Sequence, residues 1–122
     1  MGTVSRVTNV GAYVIEAELV LAEDLDPAAV GAAVTAELCG HWEHEGACRW
    51  PHHSAIDSER APAPFRTLYV ADEDEREVVR ACILRALRGV EAWNVVALRA
   101  RPVAASERAH AERLRTGPRA PA

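Results

Sequence analysis

Between positions 12 and 22 the chain reads AYVIEAELVLA, with its large apolar side chains on every second residue. Tyr13, Ile15, Ala17, Leu19 and Leu21 share one side and Glu16 and Glu18 the other, which is the period of a strand with one face on a core. Such a strand needs pairing neighbours for its backbone and a second layer for its apolar face. The residues beyond position 22 supply candidates for both.

Asp26 and Pro27 carry the signature of a helix start, an N-cap oxygen followed by a residue whose missing N–H is not needed in the first turn. Val30, Val34 and Leu38 then recur every fourth residue, and Trp42 continues the stripe. Gly40 favours an early stop, and the continuing stripe with Gly46 as a later cap favours a helix running to Glu45. The segment 54–64, SAIDSERAPAP, has the composition of a loop, and 65–71, FRTLYVA, reads as a central strand with apolar residues on both sides. Asp72 with Glu75 has the spacing of a capping box, and Val78, Val79, Cys82, Ile83, Ala86 and Leu87 form the apolar stripe of a helix over 73–88, closed at Gly89. A last strand spans 93–101, and Val4 to Thr8 offers either an extra strand or an extension of the first. The expected fold class is α+β: a three- or four-stranded sheet with two helices on one face, of the ferredoxin-like type.

The 122 residues suit one domain, assigned to 1–103 with an insert at 39–53, followed by an Arg-rich tail at 104–122. All 14 basic residues are Arg, and they are unevenly placed. Residues 1–98 hold 16 acids and 8 Arg, while 99–122 hold 2 acids and 6 Arg, so a body of charge −8 carries a tail of +4. An acidic body opposes polyanion binding, and nucleic acid is therefore disfavoured as a partner. The tail has one large apolar residue, Leu114, and reads as an exposed helix or a frayed end, with His110 solvated. Arg99 and Arg101, two apart on the last strand, are expected to pair with Glu16 and Glu18. No apolar run is long enough to cross a bilayer and no signal-peptide pattern opens the sequence, so the expected setting is cytoplasmic. Open sheet edges and a small core favour a homodimer.

The densest chemistry lies at 39–53, CGHWEHEGACRWPHH, which holds four of the five histidines and two of the three cysteines. Neutral imidazole and thiolate are the donors zinc prefers, four to an ion in structural sites. Cys39, His41, His44, Cys48, His52 and His53 are the candidate ligands. His44 and Cys48 serve whether the preceding helix is long or short. The third cysteine, Cys82, belongs to a helix stripe as a small buried hydrophobe. The absence of P-loop, G-x-G-x-x-G, G-x-S-x-G and H-E-x-x-H patterns removes the sequence support for several enzyme classes. The leading expectation is a zinc-binding protein with a structural or regulatory role. The competing readings are a small enzyme with a metal-dependent or Cys/His active site in that segment, and a metal-free adaptor.

Overall fold

The computed structural model describes residues 10–39 and 50–117. Four strands, β1 (Val10–Leu21), β2 (His52–Ile56), β3 (Ala63–Asp72) and β4 (Trp93–Arg101), form one antiparallel sheet in the order β2-β3-β1-β4. Helix α1 (Ala28–Cys39) joins β1 to β2, and α2 (Arg76–Arg88), entered through a single 3-10 turn at Glu73–Glu75, joins β3 to β4. A third helix, α3 (Arg108–Thr116), comes after β4 and another such turn. The class is α+β as expected, with four strands and three helices.

The pleat of β1 gives the sheet two differently covered faces. Odd-numbered Ile15, Ala17 and Leu19 join Phe65, Tyr69 and Ala71 of β3 beneath Val30, Val34 and Leu38 of α1 and Val79, Ile83, Ala86 and Leu87 of α2. Glu37 and Arg85 tie the two helices together at 3.1 Å. Trp93 closes the end of this core and donates its indole N–H to the Leu87 carbonyl at 2.8 Å. Even-numbered Val14 faces the other way. It meets Leu68 and Ala111, with Ala12, Val103 and Leu114 around them, so α3 lies on the second face of the sheet.

Several local expectations hold for plain reasons. Asp26 caps α1 by accepting the Ala28 N–H at 3.0 Å. Every residue from Phe65 to Ala71 except Arg66 is buried, as a strand between two others and two layers requires. Others are corrected. Residues 54–56 belong to β2 rather than to a loop, which confines the β2–β3 connection to 57–62. Asp72 makes no side-chain cap bond to the turn after it, and Glu75 instead accepts the Trp50 indole N–H at 3.1 Å. Val78 is 53% exposed, one position off the buried stripe. Helices do not all lie on one face: the segment expected to be an exposed helix or a frayed end is helical over 105–116 and largely exposed, but it sets Glu107 and Ala111, with His110 and Leu114 beside them, against the second face. The alternatives for Val4 to Thr8 and for a helix running past Cys39 lie outside the described residues.

Because α3 contributes Ala111 and Leu114 to a packed contact, deletion of residues 106–122 is expected to lower the melting temperature by at least about 5 °C. Differential scanning calorimetry of the truncated chain checks this, and an unchanged transition would mean that α3 adds nothing to the fold.

Candidate functional site

Two places on this frame gather polar chemistry, one at the junction of α1 with β2 and one on the second face of the sheet. At the junction, α1 ends on Cys39 and the chain re-enters the described structure at Trp50. Both ends are anchored. Trp50 packs against the two-helix core while its indole N–H reaches Glu75. His52 sits between its own strand and α1: Nδ1 lies 3.0 Å from the Trp50 carbonyl oxygen, and Nε2 lies 2.9 Å from the Thr35 hydroxyl. A carbonyl only accepts, so Nδ1 carries the proton and the Nε2 lone pair points at α1. An imidazole held through Nδ1–H to a carbonyl has the orientation that metal-bound histidines use; here the Nε2 lone pair accepts from the Thr35 hydroxyl, and an ion at Nε2 takes the place of that hydrogen bond. Thr35 stands one helical turn before Cys39.

The six sequence candidates thus separate. His52 faces α1, and Cys39 is the last residue of that helix. His41, His44 and Cys48 lie outside the described residues. His53, one step along β2, points to the opposite face, where its ring meets His110 of α3 with centroids 4.6 Å apart and planes tilted by 57°. One ion cannot take both His52 and His53. Among the described residues no three His, Cys, Asp or Glu side chains are gathered about a common point. Cys82, half-buried on α2 beside Arg85, packs with the core.

The second face is organised by a buried carboxylate. Register places Arg66, Glu16 and Arg99 side by side on β3, β1 and β4, with Arg101 two residues further along β4. Glu107, only 5% exposed, descends from the 3-10 turn before α3 into this row. Its two oxygens accept from both terminal nitrogens of Arg101 at 2.8 and 3.0 Å, from Arg66, and from the Ala104 backbone N–H at 2.9 Å. Arg101 also donates through Nε to Glu16 at 2.5 Å, and Arg99 reaches the other oxygen of Glu16 at 2.7 Å. The expected pairing of Arg99 and Arg101 with β1 is therefore realised on Glu16. Glu18, the other expected acid, stands exposed.

These contacts set the charges. The hydrogen-bonded Arg101 guanidinium, aided by the Ala104 N–H and by Arg66, outweighs burial and holds the Glu107 carboxyl down at about 2. Glu16 is lowered in the same way, chiefly by Arg101. Arg101 is raised, first by Glu107 and then by Glu16. Burial, with His53, Arg113 and Arg66 nearby, lowers His110 and so favours its neutral imidazole. Beyond the network, the uncovered half of this face forms a groove of about 520 Å³ over Ala55, Pro64 and Ala97, with Glu18 and Asp57 on one side of Arg66 and Arg99.

Sequence reasoning missed Glu107 and His110. The signal for Glu107 was the acid three residues beyond Ala104 in a basic tail, the spacing from which a carboxylate reaches back to a helix start. His110 carried no signal at all, since its partner lies in a distant strand. No family model, curated protein or solved structure matches this chain.

Glu107→Gln keeps the shape and removes the charge that three donors surround. The expected loss is about 2–3 kcal/mol of stability at pH 7, read from urea unfolding. The pH dependence has a fixed sign: a carboxyl lowered from 4.5 to about 2 gives its full stabilisation above pH 4.5 and loses it as pH falls through about 2. The variant is expected to lack this part of the acid transition. Equal acid sensitivity in both proteins would contradict the assignment.

Proposed function

We propose that this chain is a cytoplasmic α+β domain of the ferredoxin-like type that binds a transition metal, zinc first, in the segment between α1 and β2. The fold assignment is supported by the run strand, helix, strand, strand, helix, strand with the order β2-β3-β1-β4. The observation that carries the metal reading is the tethering of a donor-rich segment at both ends, with His52 oriented through Nδ1 so that its Nε2 lone pair faces α1. His44 and Cys48 are the central ligands, with His52 and either His41 or Cys39 completing the four. The role of such a site is structural or regulatory: four protein ligands leave zinc no open position for a substrate.

The experiment is zinc stoichiometry by elemental analysis of untagged protein. His44→Ala or Cys48→Ser is expected to remove one equivalent per chain, and Cys82→Ser to remove none. Full occupancy in both segment variants would overturn the reading.

The chain is further proposed to be a homodimer. Edge strands β2 and β4 supply unpaired backbone, and Val20 and Val96 stand 49% and 54% exposed. The groove on the second face places Arg66 and Arg99 beside Glu18 and Asp57, a pattern that a second copy can meet with opposite charge. Light scattering at micromolar concentration is expected to give twice the 13.2 kDa chain mass, and a mass of 13.2 kDa throughout would count against it.

A further inference from the structure

His53, Leu68, Val14 and Arg101 form one row across the second face, each on a different strand, and α3 lies over that row. The helix is fixed at three points. Glu107 takes Arg101 and Arg66, Ala111 covers Val14 and Leu68, and His110 reaches the edge strand at His53. Positions 107, 110, 111 and 114 are one face of a helix, so docking by Glu107 and Ala111 places the His110 ring without further adjustment.

The separation of the two ring centres is that of two imidazoles sharing an ion. Two imidazoles bound to one ion through nitrogens at about 2.0–2.1 Å, with an angle between square and tetrahedral, hold their ring centres about 4.5–5 Å apart. The two rings here are 4.6 Å apart. They come from separate elements, β2 held by its pairing to β3 and α3 by Glu107 and Ala111, so the backbones that carry the two rings are already in place when an ion arrives. His53 is exposed and opens the pair to solvent, while His110 is half-buried. The charged groups around the pair are Arg66 on β3 and Arg113 on α3. Arg66 is offset by Glu107, whereas Arg113 makes no ion pair among the described residues.

We propose that His53 and His110 form a two-imidazole site for a divalent transition cation of the zinc, nickel and copper(II) class, with water completing the coordination. Imidazole suits these ions and not calcium or magnesium. The ion joins β2 to α3 and stabilises the docked helix by mass action. This site is separate from the one proposed between α1 and β2, because His53 and His52 leave their strand on opposite faces.

The test is a zinc chloride titration of the full chain, following imidazole nitrogens by NMR and metal stoichiometry by elemental analysis. The His53 and His110 ring signals are expected to move together and to saturate with one ion. His53→Ala, a change at an exposed position, and His110→Ala are each expected to remove one equivalent of zinc. His44→Ala is expected to leave the movement of both rings intact, whatever it does to the total. In thermal melts, zinc at about a hundredfold over its dissociation constant for this site is expected to raise the melting temperature by about 5 °C or more beyond the increase seen in His53→Ala. Arg113→Gln removes the positive charge beside the pair and is expected to tighten zinc binding at least about threefold. Ring signals that stay still throughout the titration would overturn the proposal. So would unchanged stoichiometry in both His53→Ala and His110→Ala, or loss of the ring movement on His44→Ala, which would make the two sites one.

Discussion

The two-residue repeat of β1 is the constraint on which the rest of the molecule depends. Because β1 is an inner strand with neighbours on both sides, its pleat assigns every odd residue to the layer of α1 and α2 and every even residue to the other face. The odd set is apolar and builds the main core. The even set begins apolar at Ala12 and Val14 and turns acidic at Glu16 and Glu18, so the second face is apolar at one end and charged further along. A short helix with Ala111, Leu114 and one buried acid is what that half-apolar face accommodates.

The acid is unusual in its surroundings rather than in its chemistry. A carboxylate removed from water is costly unless donors surround it, and Glu107 has two guanidinium groups and a backbone N–H. Arg101 in turn spans Glu107 and Glu16, so the strand pairing of β1 with β4 and the docking of α3 share one side chain. Arg99 and Arg101 of the basic stretch meet Glu16 of the acidic body in this network, and Glu107 of the same stretch meets Arg66.

The elements legible in the sequence are those whose burial is carried by large apolar side chains at a regular period. β1 and α2 have this property, β3 has it as a nearly continuous buried run, and α1 has it through Val30, Val34 and Leu38 together with its Asp26 cap. What could not be read is burial by other means. β2 is a five-residue edge strand reading HHSAI, held by backbone pairing to β3, by the Ser54 to Thr67 hydroxyl contact and by the Thr35 to His52 bond. Nothing in that string alternates. α3 is held by Glu107 and two apolar residues, and a buried charge looks like a solvated one in a sequence. The histidine cluster was legible as a concentration of donors, but its division was not. That division depends on His52 and His53 being consecutive residues of a strand, and the residues that complete that strand, 54–56, have the composition of a loop.

The sheet therefore sorts a continuous run of donors into two places that sequence adjacency cannot distinguish, one against α1 and one against α3. The second of these exists only because α3 is a packed layer on the second face. Methyl and aromatic NMR of the full chain addresses this most directly. A packed α3 gives nuclear Overhauser contacts from the Ala111 methyl to Val14 and Leu68 and between the His53 and His110 rings. Solvent-exposed Val14 and Leu68 methyls with no contact to α3 would contradict it.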